Sequence, residues 1–575
     1  MAFHLIQPYQ YATIRLPSNQ VRIDQIIPNT LINLGKYGSF HTNQILGRPY
    51  HLTFEILDRS ENRDGRELRI IPASELHAVE LIEQEEVEDG STPKTEVDDL
   101  LTIASSKSNV NIHDDPLNQK LTMEDIEALK QESLGSGRAI IEKLMQSHST
   151  IDQKTAFSLA KYSLRKRQKF MKRFTILPLD VYALTEWLMN ERDFSKVLEM
   201  RNECLGLVGC WANIHADGGN PLKVEKDSSL RYLVVDETGG LLVAATAERM
   251  GILHQIDLEK HDDESPADAD TDQVGGTQNG VSKPRQRPLR TTPMGASSNS
   301  ITLIHANQQP NLGLLRYFNF DSNNPTPSHP LYTQLKSLSW LQLLEPESDT
   351  TYQEPEVVPP EVLAKFKSNK RSAYFRKRRR WERVKGVVDE TRAGEFNGLV
   401  VASLADPTSV LRHVVPLLAG GSQVVVYSPN LEPLAELVDH YSTARRTEWL
   451  GKPEEDRKVP SEEFPVDPTT LLAPSVQTSR VRRWQVLPGR THPVMTSKGG
   501  AEGYVFSATR VLPADGKVQA RGRPPRARKG KLAGEDSPKT VVDETPSVAP
   551  PTKKQKVDGS AAQIPLDQQS NHVET

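Results

Sequence analysis

Two basic runs interleaved with aromatic residues carry the chemistry this sequence is best equipped for, the gripping of a polyanion. The first, KYSLRKRQKFMKRF over 161–174, has seven basic residues and no acid. The second, FKSNKRSAYFRKRRRWERVK over 366–385, sets ten basic residues against Glu382. A charge run is ordinarily just the solvated face of a helix. These two are too dense for that, because like charges three or four residues apart repel unless an anion compensates them. Arginine presents a planar fork that matches phosphate. Interleaved Tyr162, Phe170 and Phe174, and Phe366, Tyr374, Phe375 and Trp381, would pack each helix on its domain. The expected polyanion contacts, RNA contacts if the polyanion is RNA, are Lys161, Arg165, Lys166, Arg167, Lys169, Lys172 and Arg173 on one helix. On a second they are Lys370, Arg371, Arg376, Lys377, Arg378, Arg379 and Arg380.

A glycine turn invites a different chemistry. VVDETGGLL (234–242) reads as strand, tight turn and helix, the setting in which glycines let a backbone approach a nucleotide. Here Gly239 and Gly240 stand side by side and are followed by Leu241 and Leu242, whose bulk would crowd an adenosylmethionine. An incomplete glycine motif is a weak signal, and a structural turn is the expectation. No G-x-S-x-G, H-E-x-x-H or phosphate-loop motif occurs. Cys204 and Cys210 lack a second pair to complete a zinc site. His492, in LPGRTHP, has no visible partner base or metal. The sequence therefore offers no catalytic, cofactor-binding or metal-binding residues.

The elements that must position these residues fall into blocks, and the expected class is multidomain α+β. Residues 1–82 alternate short β-rich runs with Gly and Pro turns, which predicts a small antiparallel barrel or sandwich. Residues 83–116 are acidic and lack aromatics, a disordered insertion. Residues 117–175 turn helical, with Thr122 as an N-cap, and form a linker that carries the first basic block. From 176 to 512 strand-like and helical segments alternate, predicting a mostly parallel α/β sheet. It is interrupted by a polar, disordered insertion at about 257–300 and a Pro/Glu-rich linker at 345–361. Residues 513–575 read as a disordered basic tail. Within it RGRPPRARKGK (521–531) is AT-hook-like, and Lys553, Lys554 and Lys556 form a nuclear import signal.

Composition agrees with folded blocks separated by solvated ones: hydrophobic residues make up 36% and prolines number 40, with a mean hydropathy of −0.53. The net charge of −4 conceals the segregation of acidic and basic blocks. With only two cysteines, no secretory pattern at the N-terminus and no apolar run of the ~18–20 residues a bilayer requires, the expectation is an intracellular protein with no membrane partner.

Four segments together resemble one family. They are PNTLINLGKYGSFHTNQILGRPYHLTFEI (28–56), QKTAFSLAKYSLRKRQKFMKRFTILPLDV (153–181), RYLVVDETGGLLVAATAERMG (231–251) and WQVLPGRTHPVMTSKGGAEGY (484–504). In this order they look like the non-catalytic subunit of eukaryotic tRNA (adenine-58-N1)-methyltransferase. The resemblance implies an N-terminal antiparallel β-barrel domain followed by a Rossmann-like α/β methyltransferase-type domain with a degenerate cofactor site. It also implies a heterotetramer of two such chains and two catalytic partners, with S-adenosylmethionine bound by the partner. The complex would methylate N1 of the T-loop adenosine of tRNA, and the two tail motifs point to the nucleus. Where a catalytic relative carries an Asp-Leu-Pro-type motif this chain has Ala402, Ser403 and Leu404, with Asp406 and Pro407 offset. Two alternatives stay open from the residues: an active S-adenosylmethionine-dependent RNA methyltransferase, or a chromatin-associated protein acting through the AT-hook-like tail.

Overall fold

The computed structural model describes residues 5–57, 66–72, 120–122, 124–127, 137–149, 156–216, 230–254, 299–482, 484–487, 490–494 and 501–513. The expectations for 83–116, for 257–298 and for the tail beyond 513, including the AT-hook-like and import motifs, lie outside these residues.

Each N-terminal β-rich run becomes a strand. β1 (Tyr11–Arg15) and β2 (Val21–Gln25) form a hairpin whose turn places Asn19 at a positive φ. β3 (Leu31–Asn33) pairs with β4 (Ser39–His41), and β5 (Thr53–Ile56) with β6 (Leu68–Ile70). Two helices follow, α1 (Gly137–Gln146) and α2 (Ala156–Phe170). Gly137 is obligatory at their junction, because a Cβ there would lie 2.4 Å from the Phe170 carbonyl oxygen. Upstream, Thr122 caps as expected: Asp125 N–H donates to its Oγ1 at 3.1 Å.

β7 (Arg173–Pro178) then returns to the first sheet and inserts between β1 and β5, giving the antiparallel order β2-β1-β7-β5-β6. Phe174 is the centre of that core, stacked on Phe40 at 4.5 Å and Phe54 at 5.5 Å. This corrects two expectations. A domain boundary at 175/176 would cut β7, and Lys172 and Arg173 are not on the basic helix, which ends at Phe170. The physical cause is the change from helical to alternating periodicity at RFTIL, where Phe174 and Ile176 point into the N-terminal core. The hydrogen-bonded order ends at β2 and β6; among the described residues no ladder closes it into a barrel.

After α3 (Val181–Glu191, capped by Asp180) and α4 (Asn202–Trp211) comes the α/β sheet. β8 (Arg231–Asp236), α5 (Leu241–Arg249), β9 (Ser300–His305) and β10 (Leu335–Ser339) lead to the long α6 (Ser368–Ala393). β11 (Phe396–Ala402), α7 (Pro407–Val414), β12 (Leu418–Ser428), α8 (Glu432–His440), α9 (Thr443–Gly451), β13 (Leu471–Gln477), the hairpin β14 (Trp484–Leu487) with β15 (Arg490–Pro493), and β16 (Tyr504–Arg510) complete it. The order is β10-β9-β8-β11-β12-β16-β13, parallel through β12 and antiparallel beyond. Both faces are covered, so strand residues alternate between two cores. Tyr232 and Val234 pack with α4 and α5, whereas Leu233 and Val235 pack with α7 and α8. The order reverses between β8 and β11, and the crevice at their C-terminal ends is where such folds bind ligands.

Candidate functional site

The glycine turn sits at that crevice. Asp236 ends β8 and is buried; its carboxylate accepts from Thr238 N–H and Oγ1–H, both at 2.6 Å, and from Val243 N–H at 3.0 Å. Burial pushes this carboxyl above the usual range, and those donors pull against it. Glu237 spans the crevice: its N–H donates to Ala402 O at 2.9 Å, and its Oε2 accepts from Leu404 N–H at 2.6 Å. The two glycines adopt φ +74 and +96, as a close backbone approach requires. What approaches them is the chain itself. Leu314 N–H donates to Gly239 O at 3.1 Å, and a Cβ on Gly240 would lie 3.1 Å from Leu312 Cα. Leu241 and Leu242 are fully buried in the core. At the end of the second strand, where a ribose-binding carboxylate would stand, is His305, its Nδ1 2.6 Å from Asn307 O. Asp406 is the N-cap of α7, accepting from Thr408 N–H at 3.2 Å and Ser409 N–H at 2.9 Å.

The two basic blocks are positioned differently. Of the α2 cations, Arg165 and Lys169 are exposed, and Lys161, Lys166 and Arg167 are half-buried. The helix is tied to the N-terminal core where Tyr37 O–H donates to Gln168 O at 2.8 Å. Lys166 lies over the Tyr162 ring at 4.9 Å, and burial together with Lys169 depresses its pKa. Arg173, at the start of β7, pairs with Glu55 at 3.4 Å.

α6 exposes far more. Its protein-facing stripe is Tyr374, Arg378, Trp381, Val384, Val388 and Thr391, a three-to-four-residue repeat. The Pro/Glu-rich stretch 345–361 runs beneath it: Trp381 Nε1–H donates to Tyr352 O at 2.9 Å, and Tyr352 O–H to Asp389 at 2.8 Å. At its C-terminal end Glu390 pairs with Lys336 at 2.6 Å and Arg231 at 3.4 Å. Arg378, expected as an RNA contact, points inward instead, pairing with Glu354 at 3.3 Å and Glu382 at 3.5 Å. It falls on the stripe because it is four residues after Tyr374 and three before Trp381. Lys370, Arg371, Arg376, Lys377, Arg379 and Arg380 are exposed. Arg376 and Arg379 share the face opposite the stripe with Arg383, which the residue reading passed over although its spacing from Arg376 is two helical turns.

Comparison with known proteins decides the family. The Gcd10p family model matches residues 5–367. A relative from Aspergillus fumigatus is 51% identical over 560 residues, covering 92% of this chain and 96% of its own. One from Debaryomyces hansenii is 32% identical, covering 90% and 89%.

The chain belongs to the Gcd10p family.

Both curated relatives are named tRNA (adenine(58)-N(1))-methyltransferase non-catalytic subunit, which bears out the resemblance read from the four segments. A solved tRNA (m1A58) methyltransferase from Aquifex aeolicus spans 88% of this chain and 100% of its own, at 8% identity and a TM-score of 0.35. That likeness is too slight to argue from, and the α/β assignment of the Gcd10p-family chain rests on its strand order. Remaining candidates have local roles. Cys204 is buried, its thiol pushed up to about 11 by burial, and His492 lies on β15 with Nδ1 3.1 Å from Pro493 O. Among the described residues no helix is long and apolar enough to cross a membrane, and no cluster could hold a metal ion.

Proposed function

We propose that this chain is the non-catalytic, tRNA-binding subunit of the nuclear complex that methylates N1 of the T-loop adenosine 58. It assembles two-plus-two with a catalytic subunit that binds S-adenosylmethionine, and it positions the tRNA. The observation that carries the reading is the turn at Gly239–Gly240, whose close approach is taken by Leu312 and Leu314. These residues do not fit S-adenosylmethionine. The glycine surface is covered, Glu237 ties the crevice to Leu404, and His305 replaces the ribose carboxylate. A chain that keeps the sheet without the cofactor contacts has binding left to do. The α6 face of Arg376, Arg379 and Arg383, assisted by Lys370, Arg371, Lys377 and Arg380, supplies phosphate contacts. Arg165, Lys169 and the half-buried Lys161, Lys166 and Arg167 of α2, with Lys172 and Arg173, form a second patch. In the tail, Lys553, Lys554 and Lys556 direct import.

Calorimetry tests the first half. Titrating S-adenosylmethionine into the isolated chain gives no binding heat, and titrating it into the complex with its catalytic partner does. Micromolar binding by the isolated chain would sink the reading and revive an active methyltransferase.

A further inference from the structure

A second cleft, unrelated to the glycine turn, opens where the N-terminal sheet meets the α/β domain. It encloses about 290 Å³ and is walled on one side by Gln7, Tyr9 and Tyr11 and on the other by Tyr317 and Asn319. His254, which follows the C-terminus of α5 at the opposite end of that helix from Gly240, also lines it, with Nε2 3.7 Å from Glu248. No Lys, Arg, Asp or Glu lines it. Its chemistry is therefore aromatic faces, neutral amides and the His254 imidazole, suited to a flat ring that both stacks and hydrogen-bonds. Its volume falls just short of the about 300 Å³ at which drug-sized ligand sites begin, a fit for a smaller ligand.

The walls are rigid. Tyr317 meets Tyr11 edge-on at 5.3 Å and Trp187 at 5.6 Å. Tyr9 is 60% exposed and held at φ +63, a conformation that bulky residues rarely adopt. Two hydrogen bonds keep it there: Tyr9 N–H donates to Ile26 O at 2.7 Å, and Gln25 Nε2–H donates to Tyr9 O at 3.0 Å. Across the cleft Asn319 is also left-handed, at φ +62. Asn319 takes that conformation as the cap of the turn Gly313–Phe318, its N–H donating to Arg316 O at 3.1 Å, so backbone hydrogen bonds fix the residues on both walls. At the rim, exposed Arg316 lies over the Tyr317 ring at 4.9 Å.

We propose that this cleft takes one unstacked nucleobase, with Tyr9 as its stacking platform, Gln7 and Asn319 reading its edge and Arg316 meeting the adjoining phosphate. Aromatic stacking with amide hydrogen bonds is how proteins hold single-stranded bases. The base comes from bound RNA; this source rests on the function proposed above, whereas the cleft's preference for a base does not.

The test uses the full chain and two substitutions, Tyr9→Gly and Asn319→Gly. Glycine keeps the positive φ at both positions, so each removes a side chain without breaking the backbone. In salt titrations of tRNA binding, each variant loses about 5-fold or more in affinity while the slope against log salt is unchanged, because stacking releases no counterions. In a separate titration, adenosine monophosphate binds the wild type and not Tyr9→Gly. Loss of nucleotide binding with tRNA affinity intact keeps the site and assigns it to free nucleotide. Indifference of both ligands to both substitutions overturns the proposal. A wild-type chain that binds no tRNA counts against the proposed function, and the nucleotide titration still decides the cleft.

Discussion

At the residue scale, His329 shows how the fold selects a protonation state. Its Nδ1 accepts from Leu331 N–H at 3.1 Å, so the ring proton sits on Nε2, which donates to Phe318 O at 3.1 Å. Burial lowers its pKa, and burial lowers that of His305 too. A histidine with a depressed folded-state pKa takes up its proton more readily when unfolded. Stability from this source is present above the unfolded value of about 6.5 and is lost as pH falls below it. The melting temperature should therefore fall between pH 7 and pH 5.5, and His329→Gln should flatten that dependence. A second residue-scale prediction concerns the closed turn. Gly240→Ala puts a Cβ 3.1 Å from Leu312 Cα at φ +96 and should destabilise by about 1–3 kcal/mol in denaturant titration. It should leave tRNA affinity unchanged, since the turn holds the fold rather than a ligand.

At the element scale, α6 is the most loaded part of the molecule. Its 26 residues extend about 39 Å, enough to follow several phosphates. Cations crowd its N-terminal half while Asp389 and Glu390 lie near its C-terminus, the reverse of what the helix dipole favours. Neither propensity nor charge explains why it stands; the Tyr374-to-Thr391 stripe and the strap at Tyr352 do. Changing Arg376, Arg379, Arg380 and Arg383 to Gln spares that stripe. The variant should stay folded, bind tRNA more weakly, and show a salt slope shallower by about one for each phosphate contact removed. Unchanged affinity and slope would show that RNA lies elsewhere. Trp381→Ala removes no charge but cuts the anchor to Tyr352 O. It should also weaken tRNA binding, with the slope largely retained.

At the scale of the whole molecule, the N-terminal sheet is completed by β7, which arrives only after α1 and α2. The basic block of α2 is thus placed by the same turn that closes the first core at Phe174. Such non-local pairing ties 1–82 to the residues before the α/β domain, and a truncation at residue 82 should not fold, as judged by circular dichroism. Ending the chain at Pro513 is different, because β16 is already paired on both sides. That truncation should retain full tRNA affinity in vitro and lose nuclear accumulation in cells.

The sequence by itself determined the local features: strand-like runs, the Thr122 cap, the α/β alternation, the two basic blocks and the incomplete glycine motif. These follow from periodicity, capping and charge density, which act over a few residues. Tertiary structure decided which cations are outward. Arg378 turned inward because Tyr374 and Trp381 set the stripe, and Arg173 left the helix because Phe174 was needed in a core formed with Phe40 and Phe54. It also decided what fills the glycine turn. Leu312 and Leu314 lie more than 70 positions downstream of it, and only the folding of that segment back across α5 brings them there. Contacts across such separations leave no periodic trace in the chain, so the turn of VVDETGGLL could be read as incomplete but not as closed.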